Sequence, residues 1–308
     1  MKALVTGATG FLGSCLTELL VGQGHVVAVL RRESTRPWRI EDVLPRVTSI
    51  VGDLENPTAA AAEIARFAPD TVFHAGWYGV TGPYRNDPQQ ISRNLQSTAA
   101  LVSLAAQAGC RTFVALGSQA EYGPRNQILD ENAPTEPTST YGVAKLCAFQ
   151  LSRHLARQAG MRFAWVRIFS TYGPRDNPDN MIPALVRSLL NREKPRLTAG
   201  EQLWDYLYAQ DAAEAIASVA QAAGAEGVFN LGSGTVQTIR QTVEQIRDLI
   251  DPSLPLGFGE VPYRPDQVMH LQADISRLTA TTGWSPHTTM SEGLAKTVQW
   301  HRSHGENA

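Results

Sequence analysis

The chain opens on MKALVTGATGFLG, and this stretch limits its fold more than any other. Lys2 to Gly7 reads as a short apolar strand. Gly7, Gly10 and Gly13 follow at three-residue spacing, and FLGSCLTELLVGQG (11–24) reads as a helix ending at Gly22 or Gly24. Glycines between a strand and a helix permit a turn too tight for side chains and let a ligand approach the backbone closely. The helix start adds free N–H groups and the positive end of a dipole, which suit a pyrophosphate. A plain strand-to-helix turn does not need three glycines in this order. The segment therefore predicts a dinucleotide site, with Gly7, Thr9, Gly10, Phe11, Leu12 and Gly13 around the phosphates.

Further apolar runs read as strands: HVVAVL (25–30), VTSIVG (47–52), TVFHAG (71–76), RTFVALGS (111–118) and MRFAWVRIF (161–169). Helical patterns lie between them, notably at 58–67, 88–109 and 141–158. Strands alternating with helices imply crossovers and a parallel sheet covered on both faces, an α/β doubly wound architecture. After Ile168 the pattern loosens. TYGPRDNPDN reads as loop, a helix follows at 181–191, and TIRQTVEQIRDLI reads as an amphipathic helix whose Thr238 and Gln241 can form a capping box. The expected division is a dinucleotide-binding domain over 1–170, with GVFNLGS returning a strand near 227–233, and a smaller, mainly substrate-binding lobe over 171–308.

A net charge of −2 speaks against nucleic acid or an anionic membrane as the main partner. No apolar run is long enough to span a membrane. The immediate strand and turn leave no room for a signal peptide. Cys15, Cys110 and Cys147 are odd in number and widely spaced, so neither a disulfide framework nor a metal site is expected, and the reading is a reducing cytoplasm.

At the end of the second strand, VVAVLRRES carries Arg31 and Arg32. In dinucleotide folds that prefer NAD, a carboxylate near this point accepts hydrogen bonds from the adenosine ribose, and it would repel a 2′-phosphate. Two guanidinium groups bind such a phosphate instead. The expectation is NADP(H), with NAD(H) second; the alternative is two solvated arginines with Glu33 as partner. Tyr141 and Lys145 stand four apart on a predicted helix and share a face. A phenol titrates near ~10, and a neighbouring ammonium with an oxidised nicotinamide ring beside it favours the ionised form, making it a better proton relay. Ser118, ending a strand, can donate a hydrogen bond to the same substrate oxygen.

GATGFLG together with GDL (52–54), YGVAK (141–145), RIFSTYGP (167–174), FNLGSG (229–234) and YRPD (263–266) resembles the extended short-chain dehydrogenase/reductase family over nearly the whole chain. These are Rossmann-type nucleotide-sugar epimerases, dehydratases and reductases. The resemblance implies that Asp53 and Leu54 lie near the adenine, though Asp53 can equally be a turn residue, and that Asn94 supports the site below the Tyr141 helix. The 4,6-dehydratases it resembles carry Asp-Glu directly after the Ser/Thr. Gln119 and Ala120 stand there, which argues against dehydration, and Glu121 is not assigned that role. Related 4-epimerases retain NAD and mostly show the acid that Arg31 replaces, whereas a reductase must exchange its cofactor. The leading expectation is therefore NADPH-dependent reduction of a nucleotide-linked 4-keto-6-deoxy sugar in deoxysugar biosynthesis, with hydride to C4 and a proton from Tyr141. The alternative is a nucleotide-sugar 4-epimerase with retained NAD(P).

On the substrate side, Ser170 stands where relatives commonly have an Asn, and Trp204 replaces an Arg that often reaches the diphosphate. Arg264 matches another diphosphate-binding Arg; its alternative is an ion pair with Asp266. Gln119 is a further substrate candidate. Trp77, Tyr78 and Tyr84 are expected in the pocket, either stacking on the substrate or packing. Tyr122 is expected to pack or line the pocket. The resemblance also implies a homodimer through the helix bearing Tyr141 and the one before it.

Overall fold

Most of the apolar runs become strands with little exposure: residues 3–6, 71–74 and 163–167 are buried throughout. The computed structural model describes residues 1–80 and 82–304. Its first elements are β1 (Lys2–Thr6), α1 (Phe11–Gly22), β2 (Val26–Arg31), β3 (Thr48–Val51), α2 (Ala61–Phe67), β4 (Thr71–His74), α3 (Gln89–Gln107) and β5 (Thr112–Ser118). Next come β6 (Gln127–Leu129), α4 (Thr140–Gln158), β7 (Arg162–Ile168), β8 (Ser170–Tyr172) and α5 (Met181–Leu190). The chain continues through β9 (Leu203–Trp204), β10 (Tyr206–Tyr208), α6 (Ala209–Gln221), β11 (Gly227–Leu231), β12 (Gln237–Thr238) and α7 (Ile239–Ile250). It closes with β13 (His270–Ala273), α8 (Ser276–Thr282) and α9 (Met290–His304).

Seven strands form one parallel sheet in the order β3-β2-β1-β4-β5-β7-β11. A parallel sheet must be covered on both faces, which is why its strands are apolar runs rather than alternating ones. Cys15, Leu16 and Leu20 of α1 pack with Ala212, Ile216 and Val219 of α6 on one face. Ile64 of α2, Leu101 and Ala105 of α3, and Ala148 and Phe149 of α4 cover the other. The strand order reverses beside β1 and β4, so the loops leaving their C-terminal ends diverge and open a crevice.

A second core gathers Ile182, Leu185, Val186 and Leu189 of α5 with Val243 and Ile246 of α7 and Leu294 and Val298 of α9. Two smaller sheets, β12-β9-β13-β6 and β10-β8, connect it to the main sheet's crevice. The capping box at Thr238 and Gln241 forms as expected. The stretch read as loop differs at its start: Thr171 and Tyr172 belong to β8, which pairs in parallel with β10. The buried Tyr172 ring packs edge-on against Tyr206 and Tyr208, and this aromatic packing outweighs the turn-forming residues that follow. Among the described residues, no helix is long and apolar enough to cross a membrane.

Candidate active site

A cavity of about 1000 Å³ runs along the crevice, between the C-terminal ends of the central strands and the second lobe. Its floor is the glycine turn. Gly7 has φ +70°, and a Cβ there would lie 2.4 Å from the backbone nitrogen of Gly76, which follows β4. A Cβ on Gly13 would lie 2.1 Å from the Gly7 carbonyl oxygen. Both positions are closed to side chains. Gly10 caps α1 without a side-chain hydrogen bond, and no acid stands in its first turn, so no protein group competes for the positive helix end. This cradle, lined also by Thr9, Phe11 and Leu12, fits the pyrophosphate of a dinucleotide.

Arg31 and Arg32 line the same cavity beyond the turn. Arg31 donates from Nε to the Ser49 hydroxyl at 2.7 Å, and Arg32 is exposed. Among the described residues neither forms an ion pair, so Glu33 is not their partner. Asp53 and Leu54 line the wall beside them. The Asp53 carboxylate also accepts the Glu55 backbone N–H at 3.0 Å, so it is a turn residue as well. Asn94, on α3, accepts from the Tyr78 N–H at 2.7 Å and donates to the Tyr78 carbonyl at 3.1 Å. It thus fastens the loop after β4 while lining the cavity.

Ser118, Tyr141 and Lys145 meet at the far end, where β5 stops and α4 begins. Ser139 caps α4 through its hydroxyl, which fixes the helix start two residues before Tyr141. Burial pushes the Tyr141 phenol above its ordinary range, with Ser118 and Arg85 pulling it back and Glu121 adding to the rise. Desolvation of the buried ring opposes the phenolate, and the positive charge nearby offsets part of that. Lys145 donates from Nζ to the Leu116 carbonyl at 2.6 Å and sits 3.7 Å over the Trp77 ring, farther from Tyr141 at 5.8 Å. Burial pulls its pKa down to about 7.

Comparison with known proteins fits this geometry. The model of the NAD dependent epimerase/dehydratase family matches residues 3–232. The chain belongs to this family. It is an extended short-chain dehydrogenase/reductase, an NAD-dependent enzyme type acting in relatives on nucleotide sugars. UDP-glucose 4-epimerase of Mycolicibacterium smegmatis is 26% identical over 98% of this chain and 99% of its own. dTDP-glucose 4,6-dehydratase of Neisseria meningitidis is 25% identical over 97% and 93%. The solved complex of Thermus thermophilus UDP-glucose 4-epimerase with NAD is 25% identical, with TM-score 0.85 over 98% of this chain and 99% of that one.

Of the residues expected on the substrate side, Gln119, Ser170, Trp77, Tyr78, Tyr84 and Trp204 all line the cavity of this epimerase/dehydratase-family enzyme. Trp204 donates from its indole nitrogen to the Ser170 hydroxyl at 2.8 Å, so the two positions that depart from the family's pattern satisfy each other. The aromatics after β4 are held by the protein as well: Trp77 donates to Gln90 at 2.9 Å and Tyr78 to Asp87 at 2.9 Å. Arg264 is not brought to the cavity. It is exposed, and among the described residues it has no ion pair with Asp266 either. Tyr122 is fully buried and donates to Asn230 at 2.7 Å, so it packs.

Several residues at the site escape a reading of the sequence. Glu121 is buried and accepts from the Ser118 N–H at 2.9 Å, the Trp165 indole at 2.9 Å and Arg167 at 2.8 Å. Arg39 reaches from the segment after β2 to the carbonyls of Thr9 at 3.3 Å and Arg175 at 2.9 Å. Arg175 returns a bond to the Arg39 carbonyl at 2.6 Å and grips Glu18 of α1 with both terminal nitrogens at 2.5 Å. Asp176 lines the cavity next door, and burial lifts its carboxyl to about 7. Arg85 stands 4.9 Å over the Tyr141 ring.

Proposed function

We propose that this chain is a nucleotide-sugar 4-epimerase. The observation that carries the reading is the fate of the acid nearest the reacting end. Glu121 spends its carboxylate on Ser118, Trp165 and Arg167, and Gln119 and Ala120 offer no acid in its place. With no free carboxylate beside Ser118 and Tyr141 among the described residues, proton removal from carbon and expulsion of water lack the acid pair that the 4,6-dehydratases this chain resembles carry there. Beyond the dinucleotide that would exchange the hydride, oxidation and re-reduction of one carbinol need a hydroxyl donor and a phenol, which are present. UDP-glucose 4-epimerases among the relatives are consistent with this.

Bound with its pyrophosphate at the glycine turn, a nicotinamide dinucleotide supplies reversible hydride exchange. Ser118 donates a hydrogen bond to the sugar oxygen and holds it against the phenol. Tyr141 takes the hydroxyl proton as the alcohol is oxidised and returns it on reduction. Lys145, pinned to the Leu116 carbonyl, keeps its donors at the same end of the cleft. Residues 171–308 mainly shape the sugar side, and a second copy packing on α3 and α4, where Ile91 and Val143 stand exposed, completes the reading.

A second reading rests on Arg31 and Arg32, free cations where a ribose-binding acid would favour plain NAD. They favour NADP(H), and with it net reduction of a nucleotide-linked 4-keto-6-deoxy sugar. One preparation separates the two. The epimerase interconverts UDP-glucose and UDP-galactose without added coenzyme and releases a nicotinamide dinucleotide on denaturation. The reductase consumes NADPH in step with a keto sugar. In either case Tyr141→Phe lowers kcat by about 10²-fold or more. Full turnover by that variant would overturn both.

A further inference from the structure

We propose that Arg85 is a positioning residue for Tyr141: a guanidinium held over the phenol ring that favours its ionised form. The inference deepens the function proposed above and rests on Tyr141 being the proton carrier. Three observations support it. First, Arg85 is the nearer cation, with its guanidinium carbon 4.9 Å from the Tyr141 ring centroid against 5.8 Å for the Lys145 ammonium. Second, its loop is fastened to the start of α4. The Tyr141 N–H donates to the Arg85 carbonyl at 2.8 Å, and the Thr140 N–H donates to the Asn86 side chain at 3.2 Å. The Arg85 backbone is therefore tied to the helix start that carries the phenol. Third, the charge is not spent elsewhere. Arg85 lines the cavity and forms no ion pair among the described residues. The neighbouring Asp87 is taken up by the Tyr78 hydroxyl and the Gln89 N–H.

The other groups facing Tyr141 leave this task open. Lys145, on the same helix, is directed at the Leu116 carbonyl and the Trp77 face, and burial brings its pKa to about 7, so near neutrality it is only partly charged. Glu121, beyond β5, works against the phenolate, and Ser118 works for it. Trp77 meets the ring edge-on without charge. His74, at the end of β4, is held neutral by burial, which pushes its pKa down to about 3. A guanidinium stays charged throughout the working pH range. Its loss removes the one permanent positive charge at the ring among the described residues, and the phenol's pKa must rise.

The test reads Tyr141 in full-length protein as purified, first without substrate. Ultraviolet difference titration against Tyr141→Phe isolates its tyrosinate signal, which is then followed in Arg85→Gln and Arg85→Lys. Arg85→Gln is expected to shift the Tyr141 titration upward by about one to three units, and Arg85→Lys to restore most of it. In turnover, the ascending limb of kcat against pH moves by the same amount, while KM changes little. An unshifted titration in a folded Arg85→Gln, or an equal shift in Arg85→Lys, overturns the proposal. A raised KM with an unmoved limb also overturns it, by making Arg85 a substrate ligand. Should Arg85→Gln unfold, Arg85→Met serves in its place, and the same shift is required of it. Because the first titration needs no substrate, it stands even where the epimerase reading fails for lack of turnover.

Discussion

Replacing Glu121 by glutamine asks how the reacting end is held in place. The carboxylate is fully buried and accepts from the Ser118 N–H, the Trp165 indole and Arg167, and Arg167 is itself only 3% exposed. Glutamine keeps the volume and one acceptor oxygen, so the neutral bonds to Ser118 and Trp165 can survive. Its amino group then faces the guanidinium, donor against donor, and a buried cation loses its counter-charge. Breaking one side of a buried pair costs about 3–5 kcal/mol. With the two neutral bonds kept, each worth ~1 kcal/mol, the lower end, about 3 kcal/mol, is expected. Urea unfolding followed by circular dichroism should show a lowered midpoint at unchanged slope. Arg167→Met on top of Glu121→Gln should recover much of the loss, since the stranded charge is gone. A cost below ~1 kcal/mol, or full additivity of the two substitutions, would refute the reasoning.

Three further outcomes follow from the same geometry. Arg31→Ala with Arg32→Ala should weaken binding of the phosphorylated coenzyme by about 10²- to 10⁴-fold, from charge-assisted bonds of ~1.5–3 kcal/mol each, and leave plain NAD nearly unchanged by calorimetry. Gly13→Ala, whose Cβ would meet the Gly7 carbonyl oxygen at 2.1 Å, should abolish binding of either form while the protein stays folded enough to give a cooperative melt. Asp176, lifted to about 7 by burial, holds a proton in the folded state that the unfolded chain releases near ~4. Stability drawn from this group is therefore present at low pH and lost as pH rises from about 4 to 7, and Asp176→Asn should raise the melting temperature at pH 7–8 with little change at pH 4.

Where chemistry follows local pattern, the sequence was readable. The glycine turn, the apolar strands and the i, i+4 pair of Tyr141 and Lys145 each depend on neighbours a few residues away, and each was found where expected. The returning strand 227–231 was legible for the same reason. Glu121 was not, because its partners Trp165 and Arg167 lie 44 and 46 positions on and leave no periodic trace. Arg39 and Arg175 exchange carbonyl bonds across 136 positions. The bond between Ser170 and Trp204 joins two departures that look independent along the chain. The burial that raises the Tyr141 phenol was not legible either, since the packing around a ring near a helix start is a tertiary fact.

The strap of Thr9, Arg39, Arg175 and Glu18 bears on how the cleft is held. It crosses from the glycine turn to the segment after β8 and is anchored back in α1. The glycine turn and the segments after β2 and β8 are thus bound together along one flank, like pages along a spine. Loosening any one of these residues is therefore felt on both walls of the cleft.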